Sequence, residues 1–418
     1  MTPTSLNAVE ILDSRGRPTV LVRMRTEPGT IVQAGVPSGA STGSGEAVEL
    51  RDGDDRRFDG KGVLTAVSHV NGEIAEEIQG RSFADLSELD AALIDLDGTA
   101  DKSRLGANAL VGISMAAARA FAVARDTPLW AQMGVVDADP RLPVPHFNVV
   151  NGGAHAANPL DFQEFMLAPI GAPSYAEALR AGAEVYARLR RRLGDAGHST
   201  GLGDEGGFAP DLAHPDDVLE LIVSAIEDAG YKVGTGGIAI ALDPAANGFR
   251  RDGLYTVAGE KWSTQELVTY YEQMVGRFPV WSIEDGVAED DDEGWRLITD
   301  RLGGRIQIVG DDNFVTNPRI IEQAITDGVA NAALIKVNQI GTVSETLEAM
   351  ALCRRHGYAA MVSHRSGETP DTFIADLAVG SGCGQLKSGA PARGERTAKY
   401  NRLLEISSDN PDLEFGLA

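Results

Sequence analysis

The sequence predicts an α/β protein in two parts: an α+β segment, then a larger array of alternating strands and helices. Three observations carry this. Residues 5–36 read as strands and 61–132 turn helical, the strand-then-helix order of an α+β unit. Beyond residue 140, short apolar runs alternate with amphipathic stretches, which implies a parallel sheet. From Glu284 onward a polar residue follows each apolar run at intervals of roughly 25 residues, about one strand–helix unit. The length available favours a closed barrel over an open sheet.

The elements follow in order. Residues 19–24 are β-branched and apolar, and 31–36 follow a turn at Pro28-Gly29. The stretch 37–45 (PSGASTGSG) has too little side chain to pack and reads as a mobile loop. Alanine-rich amphipathic runs such as 109–122 fill the helical part. The sequence Asp139-Pro140-Arg141-Leu142-Pro143 breaks that pattern and sets the division at 1–138 and 139–418. In the second part, helices are expected at 174–193, 216–228, 265–275, 318–326 and 343–355. Strands are expected at 238–242, 280–283, 306–309, 333–335 and 359–362.

A net charge of −24 argues against nucleic acid or an anionic membrane as partner, though a local cluster of Lys and Arg can still hold a small anion. Cys353 and Cys383 read as reduced thiols. No basic-then-apolar leader opens the chain and no apolar run looks long enough for a bilayer, so the expected address is the cytoplasm.

Asp243, Glu284, Asp311, Lys336, His364 and Lys387 each directly or nearly follow an apolar run. In a barrel all strand C-termini open on one face, so these side chains converge. Any one acid alone reads as an ordinary helix cap. Three around one point need a counter-charge, and oxygen-only ligands suit a hard cation such as Mg²⁺. Lys336 at the inner end of a strand would have its pKa depressed by neighbouring cations and serve as a base. The loop Ser363-His364-Arg365-Ser366-Gly367-Glu368-Thr369 adds an imidazole, a guanidinium and hydroxyls. Gly203-Asp204-Glu205-Gly206-Gly207 holds two acids in a tight turn, from which a carboxyl could act as general acid. His155, Gln163 and Glu164 form a further polar cluster.

These motifs, with Ile11 to Gly16, Pro37 to Gly43, Asn151 to His155, Ser282 to Asp285, Gly310 to Asp312 and Lys336 to Gly341, resemble the enolase family over nearly the whole chain. The resemblance implies an N-terminal α+β capping domain and a C-terminal TIM-like (β/α)8 barrel with an atypical start. It implies reversible dehydration of 2-phosphoglycerate to phosphoenolpyruvate with two Mg²⁺. By motif, Asp243, Glu284 and Asp311 look like ligands of the first metal, and Ser41 like a contributor to the second. Lys336 looks like the base and Glu205 like the acid, with Glu164 beside it and His364 close by. His155, Gln163, Arg365, Ser366 and Lys387 look like contacts to a small phosphorylated carboxylic acid.

Some neighbours depart from the family pattern: Asn247-Gly248 before Phe249, Asn313, Gly45 and Pro370. Such changes around an intact catalytic set are also what an enolase-like carboxyphosphonoenolpyruvate synthase of phosphonate biosynthesis would show. A third reading is a non-catalytic binding or structural homologue. Homo-oligomerisation is expected, but Leu21, Glu405 and Val9 stand where the family commonly places charged interface residues, so the dimer is expected to differ.

Overall fold

The computed structural model describes residues 1–27, 29–39 and 43–418. Strands β1 (Pro3–Leu12), β2 (Pro18–Thr26) and β3 (Ile31–Gly35) form an antiparallel sheet in that order. Leu6 and Ala8 of β1 point into the core while Asn7 between them meets solvent, the period-two pattern of a sheet covered on one face. Helix α1 (Leu86–Asp97) and helix α2 (Ala107–Ala124) follow. Helix α2 lies so close to the sheet that a Cβ on Gly112 would stand 2.7 Å from Val22 Cγ2 and 2.9 Å from Val36 Cγ2. This helix departs from the expectation about apolar runs. By length and hydropathy it could cross a bilayer, yet 83% of it is buried, because it is the core helix on which the sheet packs.

The expected alternation beyond residue 140 closes into a barrel. Among the described residues its eight strands are β4 (Val144–Asn151), β5 (Glu164–Ala168), β6 (Ala239–Asp243), β7 (Val280–Glu284), β8 (Gln307–Gly310), β9 (Ala332–Ile335), β10 (Ala359–Ser363) and β11 (Gln385–Lys387). Strand β11 pairs in parallel with β4 and shuts the ring. Strands β6, β7 and β9 lie almost wholly out of water, as their near-continuous apolar sequences require of a sheet covered on both faces.

The repeat is not uniform. Strand β5 runs antiparallel to both β4 and β6, so the barrel opens with a hairpin that needs no crossover helix. Helices α3 (Tyr175–Asp195) and α4 (Pro215–Asp228) then both fall between β5 and β6. From β6 on each strand is followed by a helix: α5 (Thr264–Arg277), α6 (Asp292–Leu302), α7 (Pro318–Asp327), α8 (Val343–Arg355), α9 (Phe373–Gly380) and α10 (Gly394–Asp409). Local signals set their ends. Ser263 and Glu266 make a reciprocal cap on α5, and α7 starts at Asn317-Pro318 and stops at left-handed Gly328.

The N-terminal part is tied to the barrel by polar contacts. Asp90 of α1 accepts from the Ser344 backbone N–H (3.0 Å) and hydroxyl (2.6 Å) at the start of α8. Ser38 and Gly367 exchange backbone hydrogen bonds, which fastens the segment after β3 to the loop after β10.

Candidate active site

One mouth of the barrel gathers the polar residues. Asp243, Glu284, Ser363 and Lys387 end β6, β7, β10 and β11, while Asp311 and Lys336 stand one residue beyond β8 and β9. Glu164 reaches the same mouth by the opposite route. It begins the antiparallel β5 and pairs in register with Asn151 and Asp243, so its N-terminal position lies level with its neighbours' C-termini. A single cleft is lined by His155, Gln163, Glu164, Glu205, Asp243, Asp311, Lys336, His364, Arg365, Ser366 and Lys387. Glu284 lies directly behind it, against the Lys387 ammonium at 2.8 Å. Ser41 lies outside the described residues.

The cleft is closed by its own ion pairs. Lys387 Nζ lies 2.9 Å from Asp243 Oδ2, 2.8 Å from Glu284 and 3.2 Å from Glu164. Lys336 Nζ donates to Asp311. Burial works to lower both lysines, but these carboxylates outweigh it: Lys336 sits above its ordinary value and Lys387 well above. The depressed Lys336 expected from nearby cations is therefore not what this arrangement gives. The carboxylate on Asp311 is closer than any cation and decides the sign.

The opposite side is a carboxylate pair. Burial, then Glu205, pushes Glu164 well above the usual range. For Glu205 burial acts upward too, but the imidazoles of His364 and His155 and the Arg396 charge prevail and hold it well below. Two buried acids this close share one proton, and these neighbours leave it on Glu164. Glu205 also accepts from Asn148 Nδ2 at 3.0 Å, and its turn is pressed against β4, since a Cβ on Gly207 would meet Asn151 Oδ1 at 2.6 Å.

Helix α10 holds this side in place and was not singled out from the sequence. Arg393, Arg396 and Lys399 recur every three residues on one face, a spacing that could have flagged them. Arg393 donates to the carbonyls of Gly203 (3.0 Å) and Asp204 (3.3 Å). Arg396, wholly buried, donates to the carbonyls of Arg365 (2.7 Å) and Ser366 (2.6 Å) and contacts His364 Nδ1 at 2.5 Å. Lys399 Nζ pairs with Glu368 at 2.8 Å. Glu46 was likewise missed: it grips Arg365 at 3.1 Å and Gln339 at 3.3 Å from the N-terminal part.

Two groups of metal-binding side chains stand out among the described residues: His155, Glu164 and Glu205, and Asp285, Asp311 and Asp312. Asp285 is engaged in bracing backbone, accepting from Asp311 N (2.9 Å) and Asp312 N (3.0 Å). The sequence-derived set of Asp243, Glu284 and Asp311 is spread around the two ammoniums, not drawn onto one point. Burial, then Asp243, keeps Glu284 well above the usual carboxylate range, because this corner crowds more acids together than its two lysines can pair. An all-oxygen donor set in that condition fits a divalent cation. Of the departures from the family pattern, Asn247 spans Asp312 Oδ2 (2.9 Å) and the Glu289 N–H (2.9 Å), and Asn313 Oδ1 is buried without a partner.

Residues 4–133 match the family model described as the enolase N-terminal domain, and residues 139–412 match that of the enolase C-terminal TIM barrel domain. A protein of Rubrobacter xylanophilus named enolase is 56% identical over 399 residues, 95% of this chain and 92% of the relative. One of Acidothermus cellulolyticus with the same name is 55% identical over 408 residues, 98% of this chain and 94% of the relative.

Proposed function

The chain belongs to the enolase family, and we propose from that premise how its site works. It is a carbon–oxygen lyase that reversibly dehydrates 2-phosphoglycerate to phosphoenolpyruvate. The observation that carries the residue roles is the convergence, in one cleft, of the Lys336 amine on one side and the Glu164–Glu205 pair on the other.

Lys336 takes the proton from the carbon next to the substrate carboxylate, leaving a dianion. The Glu205 and Glu164 pair delivers its shared proton to the departing hydroxyl, which leaves as water as the double bond forms. His155, Gln163, Arg365, Ser366 and Lys387 hold the phosphate and carboxylate, and Lys387 places a fixed positive charge where negative charge builds. Asp243, Glu284 and Asp311 would hold a divalent metal, for which we favour Mg²⁺ because its preferred ligands are oxygens, with Ser41 contributing to a second ion. When bound, the metal supplies positive charge for the dianion and neutralises Asp311, the carboxylate that keeps Lys336 protonated. Residues 1–138 act as a cap on the catalytic part, 139–418.

The test is formation of phosphoenolpyruvate from 2-phosphoglycerate with and without Mg²⁺. Turnover with Mg²⁺ and no second substrate is expected. Product that appears only when an activated phosphonoformate is also supplied would overturn this in favour of the carboxyphosphonoenolpyruvate synthase. No observation in the structure favours that reading or the non-catalytic one. The changed positions Leu21 and Glu405 support a dimer contact unlike that common in the family, which sedimentation at low and high salt would test.

A further inference from the structure

Arg396 does more than fill space. A guanidinium has only donors, so the ring nitrogen facing it must be an acceptor. That nitrogen is His364 Nδ1, at 2.5 Å from Arg396. We infer that Arg396 is a positioning residue that fixes His364 in the Nε2-protonated tautomer and makes its imidazole a standing hydrogen-bond donor toward Glu205. The inference rests on the reading of Glu205 as part of the acid pair, and it adds a direction: His364 cannot accept the proton that this pair handles.

Three features support it. Arg396 is wholly buried, and its two terminal nitrogens are also held by the Arg365 (2.7 Å), Ser366 (2.6 Å) and Asp204 (3.3 Å) carbonyls. His364 Nε2 is buried 3.1 Å from Glu205 Oε2 and has no hydrogen-bond partner elsewhere, so the proton it carries faces Glu205. Burial pushes His364 down to about 3, with Arg396 and Lys387 acting the same way and Glu205 against them, so the ring stays neutral. The other groups around Glu205 are His155, whose Nε2 is 3.7 Å away, Asn148, and Glu164.

The experiment reads the tautomer and the kinetics separately. In ¹⁵N-histidine NMR of the full chain, with His364 assigned from His364→Asn, Nε2 should be protonated and Nδ1 bare from about pH 6 to 8. A protonated Nδ1 would overturn the inference, and this measurement needs no change at Arg396. Arg396→Met should lower kcat by about 10- to 100-fold with a much smaller change in KM, in the range found when a group orienting an active-site ligand is removed. It should also move the acid limb of the kcat profile to higher pH, and Arg396→Lys, which keeps a donor, should recover part of the loss. In a His364→Asn background, Arg396→Met should cost little more. Full additivity there would mean that Arg396 only supports the fold, and would overturn the inference. If the unmodified protein fails to dehydrate 2-phosphoglycerate, the functional reading falls, while the NMR spectrum still decides the tautomer.

Discussion

On the wall built from β7 to β9, Glu284 and Asp311 each have a lysine ammonium against them. On the wall built from β4, β5 and the glycine turn, Glu164 and Glu205 face each other, with imidazoles around them that burial pushes below their ordinary value. The first wall sets a lysine against each acid, which overcomes burial for Asp311, held below its usual value, but not for Glu284, held well above it. The second forces two like groups together and so keeps one proton on the pair. Under the proposed function the same residue type, a buried carboxyl, serves as a ligand on one side and an acid on the other, decided by its neighbour. Lys387 touches both walls, through Glu284 and Glu164.

The most direct way to break this contrast is to remove the amine from the first wall. Lys336→Ala should lower kcat for 2-phosphoglycerate by roughly two to four orders of magnitude. Turnover near the original rate would take Lys336 out of the base role and leave the two walls without a division of labour. Removing the shared cation comes next. Lys387→Met removes the ammonium that Asp243 and Glu284 contact at 2.9 and 2.8 Å, and breaking a buried pair in this way costs about 3–5 kcal/mol. Urea denaturation should show that loss, and added Mg²⁺ should restore part of it if the carboxylates of the first wall take up the ion. A variant as stable as the original would mean that these acids are already protonated and that the first wall resembles the second.

The two walls also differed in how plainly they could be read. Along β7 to β10, an apolar run ends in a polar residue once per unit, so Glu284, Asp311, Lys336 and His364 announce themselves by position alone. Glu164 breaks that rule because β5 runs backward and offers its first residue, not its last, to the mouth. No strand was expected between residues 142 and 238, since Phe162, the polar Gln163 and Glu164, and the apolar 165–168 do not alternate as a strand covered on one face does. Arg396 was harder to read for another reason: its spacing with Arg393 and Lys399 marks one face, but an arginine on a helix is ordinarily a solvated one, and only the fold reveals that this face is turned inward. The sign of the Lys336 shift was equally out of reach, because it turns on which carboxylate lies against the amine.

A smaller effect sharpens how the first wall is supported. Burial raises Asp90 to about 6, against hydrogen bonds from Ser344 and Ser114 that act to lower it; Glu345 adds to the rise. Asp90 braces the start of α8, the helix that follows the Lys336 strand. A folded value above the unfolded one means that the native state binds the proton more tightly. The stabilisation is complete below about pH 4 and is lost as the pH climbs to about 6, a change of about 3 kcal/mol. Asp90→Asn should flatten the stability profile in that window while leaving kcat unchanged. An unaltered slope would mean that Asp90 is not the group titrating there.

The smallest expected effect concerns what ties Ser44 of the N-terminal part to the barrel. Glu289 accepts from both the N–H (3.2 Å) and the hydroxyl (3.3 Å) of Ser44, while its own N–H is held by Asn247, whose amide bonds Asp312. The chain of contacts therefore runs from residue 44 to a carboxylate beside the first wall, and it bypasses the second wall altogether. The Ser44 bonds are exposed and long, so each is worth only about 0.5 kcal/mol. Glu289→Ala should raise KM by about two- to fivefold and leave kcat nearly intact, because it loosens the tie of Ser44 to the barrel and alters neither Lys336 nor Glu205. Asn247→Ala should do more, since it also frees Asp312 in the low-dielectric cleft. If Glu289→Ala instead lowered kcat as much as KM rose, the segment carrying Ser44 would belong to the chemistry of the first wall and not merely to its support.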